Sequence, residues 1–238
     1  MRKQPEAATE PARRPTSLPA SGGPWPTSPA AARALQEELA RRVIVADDFA
    51  EIRWVGGLDV HYAPRRGLAW AAAVVVDATT LELVASALAC APLVFPYVPG
   101  LLSFREAPAA LAALALLRPR PDLVLVDGQG RAHPRRFGLA CHIGVLADLP
   151  TIGVAKSRLL GEHAAPPEVA GGWVPLYHGE EVIGAVVRTR VATTPLFVSV
   201  GHRISLARAI DWTIRLCAGR RLPEPIRLAD RLSRAHPD

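Results

Sequence analysis

Lysine is nearly absent from this 238-residue chain: Lys3 and Lys156 are the only two. Arginine carries the remaining positive charge, which makes Lys156 conspicuous. Cysteine is scarce too, with Cys90, Cys141 and Cys217 scattered and without CxxC spacing. That odd, unspaced set excludes a disulfide framework and a structural zinc site, and it fits a reducing compartment. No apolar run reaches roughly 18 residues without charge, so no transmembrane helix is expected. The N-terminus lacks the apolar stretch of a signal peptide, and the chain is read as cytoplasmic. No internal repeat is found.

Half of the residues are hydrophobic, enough for the core of one domain. The formal charge is +6 and the pI about 9.9, a balance that favours an acidic partner such as nucleic acid over a small neutral ligand. Residues 1–28 are rich in Pro, Ala, Ser, Thr and Gly and show no periodicity. They are read as a disordered tail, with Arg2, Lys3, Arg13 and Arg14 as solvated charges or weak nucleic-acid contacts. Residues 29–238 are read as a single domain. A first helix is expected from Pro29 to about Asp47, with Leu35, Leu39, Val43 and Ile44 on one face.

Arg53–Tyr62 reads as a strand in which Leu58, Val60 and Tyr62 face one way and Gly57, Asp59 and His61 the other. An aspartate amid apolar neighbours is costly unless it is ion-paired or binds a metal, and both readings stand for Asp59. Residues 68–77 and 81–90 complete a three-stranded meander. Tyr97-Val98-Pro99-Gly100 then forms a stiff, sharply bent turn suited to presenting a ring outward. Ser103-x-x-Glu106 matches a capping box, while a rival start puts Pro108 at the first helical position. Either way Glu106 sits at a helix N-terminus. Leu123–Val126 runs apolar without alternation, like a strand covered on both faces, and ends at Asp127-Gly128. Asp127 there is a turn former, or a ligand group at the carboxyl end of a buried strand.

A glycine-rich loop from Gly128 to Arg136 leads into a helix reaching about Asp148. Thr151–Ala155 is a second buried strand, and a right-handed crossover would put Lys156 on the same sheet edge as Asp127. Trp173–Leu176 and Val182–Val187 read as a hairpin, Phe197–Val200 as a short strand followed by His202, and Ser205–Ala218 as a helix. The segment from Pro223, with Glu224 and Asp230, reads as a basic terminal helix. A meander followed by helix, strand, helix and strand is the order of an RNase H-like α/β fold, a mixed sheet in which parallel strands follow the antiparallel meander, with helices on both faces. In that layout Asp59 and Asp127 are neighbours and Glu106 enters from the intervening helix. Three crowded carboxylates cannot all ionise cheaply without cations. Hard oxygen ligands select Mg²⁺ or Mn²⁺, and two such ions roughly 3.5–4 Å apart clamp a phosphodiester in line. Lys156 would stabilise phosphate charge, and His202 is a packed residue or a member of the cluster.

Six colinear motifs carry a resemblance: Pro96–Gly100, Phe104–Glu106, Val126–Gly130, His133–Arg135, Ile152–Lys156 and Val200–Arg203. Over about residues 30–235 the chain resembles the endonuclease V, or deoxyinosine 3′ endonuclease, family. The resemblance implies an RNase H-like fold. It also implies Mg²⁺-dependent hydrolysis, with Mn²⁺ able to substitute, at the second phosphodiester bond 3′ to a deaminated purine. The products would be a 3′-OH and a 5′-phosphate. It implies Asp59, Glu106 and Asp127 as the acidic metal centre, with His202 beside them and Lys156 near the scissile phosphate. Tyr97, Val98, Pro99 and Gly100 match the family's DNA wedge. Gly100, Leu102, Gly128, His133, Gly138 and Leu139 match its largely backbone base pocket. Asp230, in the terminal segment, is a candidate further carboxylate for the metal centre, and the resemblance leaves its contribution open. The implied partner of a monomeric protein is inosine-containing DNA, single- or double-stranded, or RNA. An inosine-specific endoribonuclease and a catalytically silent inosine binder are the alternatives.

Overall fold

Ten residues, Trp54–Ala63, form the strand β1 on which the sheet is built. The computed structural model describes residues 25–235; expectations for residues 1–24, the four basic residues included, lie outside them. The alternation holds in β1. Leu58, Val60 and Tyr62 join one core, while Val55 joins the core on the opposite face.

Strands β2 (Leu68–Asp77) and β3 (Leu83–Pro92) extend β1 as an antiparallel meander. β2 is mostly alanine and valine and is buried almost throughout. Its small side chains let the alanine-rich helix α2 (Ser103–Leu116) lie close against it. Strands β4 (Leu123–Val126) and β5 (Thr151–Ala155) then run parallel to β1, joined by the helix α3 (Leu139–Ala147). Three more strands follow: β6 (Gly172–His178), β7 (Glu181–Arg188) and β8 (Leu196–His202). The order across the sheet is β3-β2-β1-β4-β5-β8-β7-β6, the RNase H-like arrangement expected from the sequence. The second half departs from a run of parallel strands, since β8 pairs antiparallel with β5 and the β6–β7 hairpin continues from β8.

Helices cover both faces. α2 and α3 bury one core against Leu58, Val124 and Val126. α4 (Leu206–Cys217) and α5 (Glu224–Ser233) cover the other, against Val55, Leu123, Leu125 and Ile152. The first helix, α1 (Pro29–Ala40), starts at the expected Ser28-Pro29 cap, where Ser28 Oγ accepts from the Ala31 N–H. It stops well short of Asp47 because the chain turns away to meet β8: Ile44 N–H donates to His202 Nδ1 at 3.2 Å. Trp25, within the stretch expected to be tail, is packed. Its ring stacks on His142, and its Nε1 donates to the Phe104 carbonyl at 3.1 Å. Among the described residues no helix is long and apolar enough to cross a membrane.

One glycine decides how α5 lies. A Cβ on Gly57 would fall 2.2 Å from the carbonyl oxygen of Pro225, far inside contact distance. Only a residue without a side chain lets the start of α5 cross β1 directly, and that crossing carries the rest of α5 over Asp59.

Candidate active site

Asp59 projects from β1 towards α5, and Asp127 follows the last residue of the adjacent parallel β4, its N–H donating to the Leu58 carbonyl. α5 adds Asp230. One carboxylate oxygen from each of Asp59, Asp127 and Asp230 lies within 4.8 Å of the others. Such a trio of hard oxygen donors suits a divalent cation. Lys156 already supplies positive charge there, its ammonium donating to Asp127 Oδ2 at 2.5 Å and to Asp230 Oδ1 at 2.9 Å. Its burial works against the charge, but those two bonds outweigh it and raise the Lys156 pKa. Ser233 Oγ lies 2.5 Å from Asp59 Oδ2 and orients that carboxylate from α5.

Glu106 arrives from the opposite face, in the first turn of α2, and is only 8% exposed. The capping box does not form. Ser103 Oγ instead lies 3.1 Å from His142 Nδ1, and Glu106 Oε1 accepts from the Tyr62 hydroxyl at 2.6 Å. The rival start fails too, because Pro108 lies inside the helix. Burial first, and then the charges of Asp59 and Asp127, push the Glu106 pKa up to about 7. Burial, opposed by Lys156 and reinforced by Asp59, takes Asp127 up to about 6. Negative charge is therefore costly here, and a cation relieves it. Glu106 stands beside the aspartate trio rather than within it.

His202 does not join the cluster. β8 runs antiparallel to β5, so His202 pairs with Thr151 at the start of β5, whereas Lys156 follows its end. At about 3.3 Å per residue, the three residues from Thr151 to Val154, which lies level with Asp127, separate His202 from the acids by roughly 10 Å along the strands. Its ring instead lies 3.9 Å from an Asp148 oxygen, and burial lowers its pKa.

Beside the acids a cleft of about 370 Å³ opens, lined by Glu106, Asp127 and Lys156. Every residue of the expected wedge and base pocket borders it: Tyr97, Val98, Pro99 and Gly100, then Leu102, Gly128, His133, Gly138 and Leu139. Tyr97 is 70% exposed, with its ring in solvent at the cleft mouth. His133 is neutral, its pKa pushed down to about 4 by burial and the nearby Arg135. The glycine-rich loop is pinned from outside by Glu181, which pairs with Arg131 and Arg136 at 2.8 Å each.

The sequence reading gave no role to Tyr62, Ser233 or Gln36. Gln36 had a visible signal: on α1 it falls between Ala32 and Leu39, a lone polar residue on the buried face. Ser233 had a similar one, sharing the buried face of α5 with Ile226 and Ala229.

The Endonuclease V family profile matches residues 37–231. Endonuclease V of Roseiflexus castenholzii is 50% identical over 215 residues, covering 90% of this chain and 96% of the relative. The crystal structure of Endonuclease V from Streptomyces avermitilis superposes with a TM-score of 0.86 at 47% identity, covering 92% of this chain and 96% of that one. Endonuclease V of Ciona intestinalis, solved with a 24mer DNA containing an inosine followed by a ribo-adenosine, gives a TM-score of 0.74 at 32% identity. That match covers 86% of this chain and 95% of the Ciona chain.

Proposed function

Because the chain belongs to the Endonuclease V family, and is thus a DNA-repair endonuclease for deaminated purines, we propose that its acidic sheet edge cuts the second phosphodiester bond 3′ to deoxyinosine. Products are a 3′-OH and a 5′-phosphate. Endonuclease V nucleases depend on a divalent metal ion, and the three converging aspartates suit one. Asp59, Asp127 and Asp230 would hold Mg²⁺, or Mn²⁺ in its place, with Glu106 facing it. When bound, the ion supplies charge stabilisation at the phosphate and a more acidic water for in-line attack.

The remaining work falls to the chain itself. Lys156 moves from its carboxylate partners to the non-bridging phosphate oxygens, where a positive charge counts most as the transition state forms. Glu106, held by Tyr62, accepts a proton from the attacking water, and its raised pKa suits that task near neutral pH. Tyr97, Val98, Pro99 and Gly100 enter the helix where the damaged base leaves. Extrusion costs a few kcal/mol, least at a damaged or mismatched pair, and a stiff turn lowers that barrier. Gly100, Leu102, Gly128, His133, Gly138 and Leu139 receive the hypoxanthine. Neutral His133 suits a pocket for an uncharged base.

The observation that carries this reading is the meeting of Asp59, Asp127 and Asp230 beside a cleft rimmed by the Tyr97 turn. The protein works as a cytoplasmic monomer in which residues 29–238, joined by the packed Trp25, form the catalytic domain. A second reading, cleavage of inosine in RNA, draws on the ribo-adenosine that follows inosine in the Ciona complex. Membership of a nuclease family weighs against a catalytically silent binder. An end-labelled deoxyinosine strand, alone, in duplex and as its RNA counterpart, tests all three. A Mg²⁺-dependent nick one nucleotide beyond the lesion, lost on chelation and in Asp59→Ala/Asp127→Ala, is expected with DNA. Faster cutting of the RNA strand would favour the second reading, and binding without any nick would defeat the first two.

A further inference from the structure

The carbonyl oxygen of Gly100, the last residue of the Tyr97 turn, is met by three donors. Gln36 Nε2 lies 3.2 Å away, His133 Nε2 3.0 Å and Arg135 Nη2 2.7 Å. Each donor is itself held. Gln36 is fully buried; its Nε2 also donates to the Phe137 carbonyl at 2.7 Å, and its Oε1 accepts from Arg135 Nε. With only acceptors at one end and a guanidinium donor at the other, the Gln36 amide has a single workable orientation. The Arg135 N–H donates to His133 Nδ1 at 3.2 Å, so the proton of the neutral ring sits on Nε2, facing Gly100. Gly100 has φ +76°, and a Cβ there would lie 2.9 Å from Arg135 Nη2, so the turn and the clamp fit without room to spare.

We propose that Gln36, acting with Arg135, is a positioning residue for strand separation: it locks the Tyr97–Gly100 turn to the glycine-rich loop so that the turn does not yield when it pushes into a duplex. The inference rests on the reading of that turn as a wedge. A lever is useful only when its base is fixed. Without the Gln36 bonds, the oxygen at the foot of this turn loses its tie to α1, and the guanidinium of Arg135 loses the acceptor that aligns it. A single-stranded substrate needs no separation, so the clamp matters for duplex DNA and hardly at all for single strands. A residue that merely stabilises the fold would affect both alike.

The test compares single-turnover cleavage of one deoxyinosine sequence, as duplex and as single strand, by the full chain and by Gln36→Met, Arg135→Lys and Tyr97→Ala. Gln36→Met is expected to lose roughly tenfold more on duplex than on single strand, the size of one or two lost hydrogen bonds. Adding a mismatch opposite the lesion, which weakens the pair, should restore part of that loss. Should Gln36→Met fail to fold, Arg135→Lys provides the same readout, since it keeps the charge and removes the Nε donor. Equal losses on both substrates, or none, overturn the clamp provided Tyr97→Ala still shows a duplex-selective loss. If Tyr97→Ala shows none, the wedge reading falls instead.

Discussion

Replacing Glu106 by glutamine should stabilise the metal-free protein while destroying its activity. Glu106 is buried, and its pKa rises from 4.5 to about 7. The folded state therefore holds the proton more tightly than the unfolded chain. Folding is unpenalised below pH 4.5, loses stability as pH climbs between the two values, and bears the whole penalty above 7. At about 1.4 kcal/mol per pH unit, that penalty is about 3 kcal/mol. Glutamine carries no charge, and its Oε1 can still accept from the Tyr62 hydroxyl. Urea denaturation in chelator should thus find Glu106→Gln about 3 kcal/mol more stable than the parent at pH 8, with little difference near pH 4.5. For a domain of this size the gain amounts to roughly 6–12 °C in Tm. Mg²⁺ should narrow the gap at pH 8, because a cation beside the carboxylate restores its preference for the charged form. A variant no more stable than the parent at pH 8, or a gap that ignores pH, would refute the account of this buried acid.

Two other perturbations probe its supports. Gly57→Ala places a methyl group against the Pro225 carbonyl and should cost about 1–3 kcal/mol of stability. Because α5 also carries Asp230 and Ser233, cleavage measured where the variant is still fully folded should fall as well; a fully active Gly57→Ala would show that α5 need not sit where it does. Tyr62→Phe removes a bond that lowers the Glu106 pKa, so single-turnover cleavage should fall several-fold at pH 6.5 and recover by pH 8.5. A loss of equal size at every pH would assign Tyr62 a packing role alone.

The first half of the site was legible because a strand advertises itself. Asp59 interrupts an apolar alternation, and Asp127 ends a run covered on both faces, so each acid was tied to a sheet position by period and burial. Parallel β1 and β4 then made them neighbours. His202 was misplaced for the converse reason. A short apolar strand does not declare its direction, and the antiparallel pairing of β8 with β5 sends its last residue back to the start of β5. Asp230 was dim because a carboxylate four residues before Arg234 on an amphipathic helix looks like an ordinary surface pair, which it also makes. Nothing local to α5 says that a glycine nearly 170 positions earlier lets the helix cross β1. Glu106 shared its spacing with a capping box, and only its contact with Tyr62 separates the two roles.

The most direct test of the site sets Asp230→Ala beside His202→Ala in single-turnover cleavage of a deoxyinosine duplex, with Mg²⁺ varied. Asp230 shares the aspartate cluster, and His202 lies toward the opposite end of the strands. Asp230→Ala should lose roughly a hundredfold in rate, about 2.7 kcal/mol of transition-state stabilisation, and need more Mg²⁺. His202→Ala should keep its Mg²⁺ dependence and, while folded, most of its rate. The reverse pattern, with His202 essential to the metal response and Asp230 dispensable, would contradict the site built here.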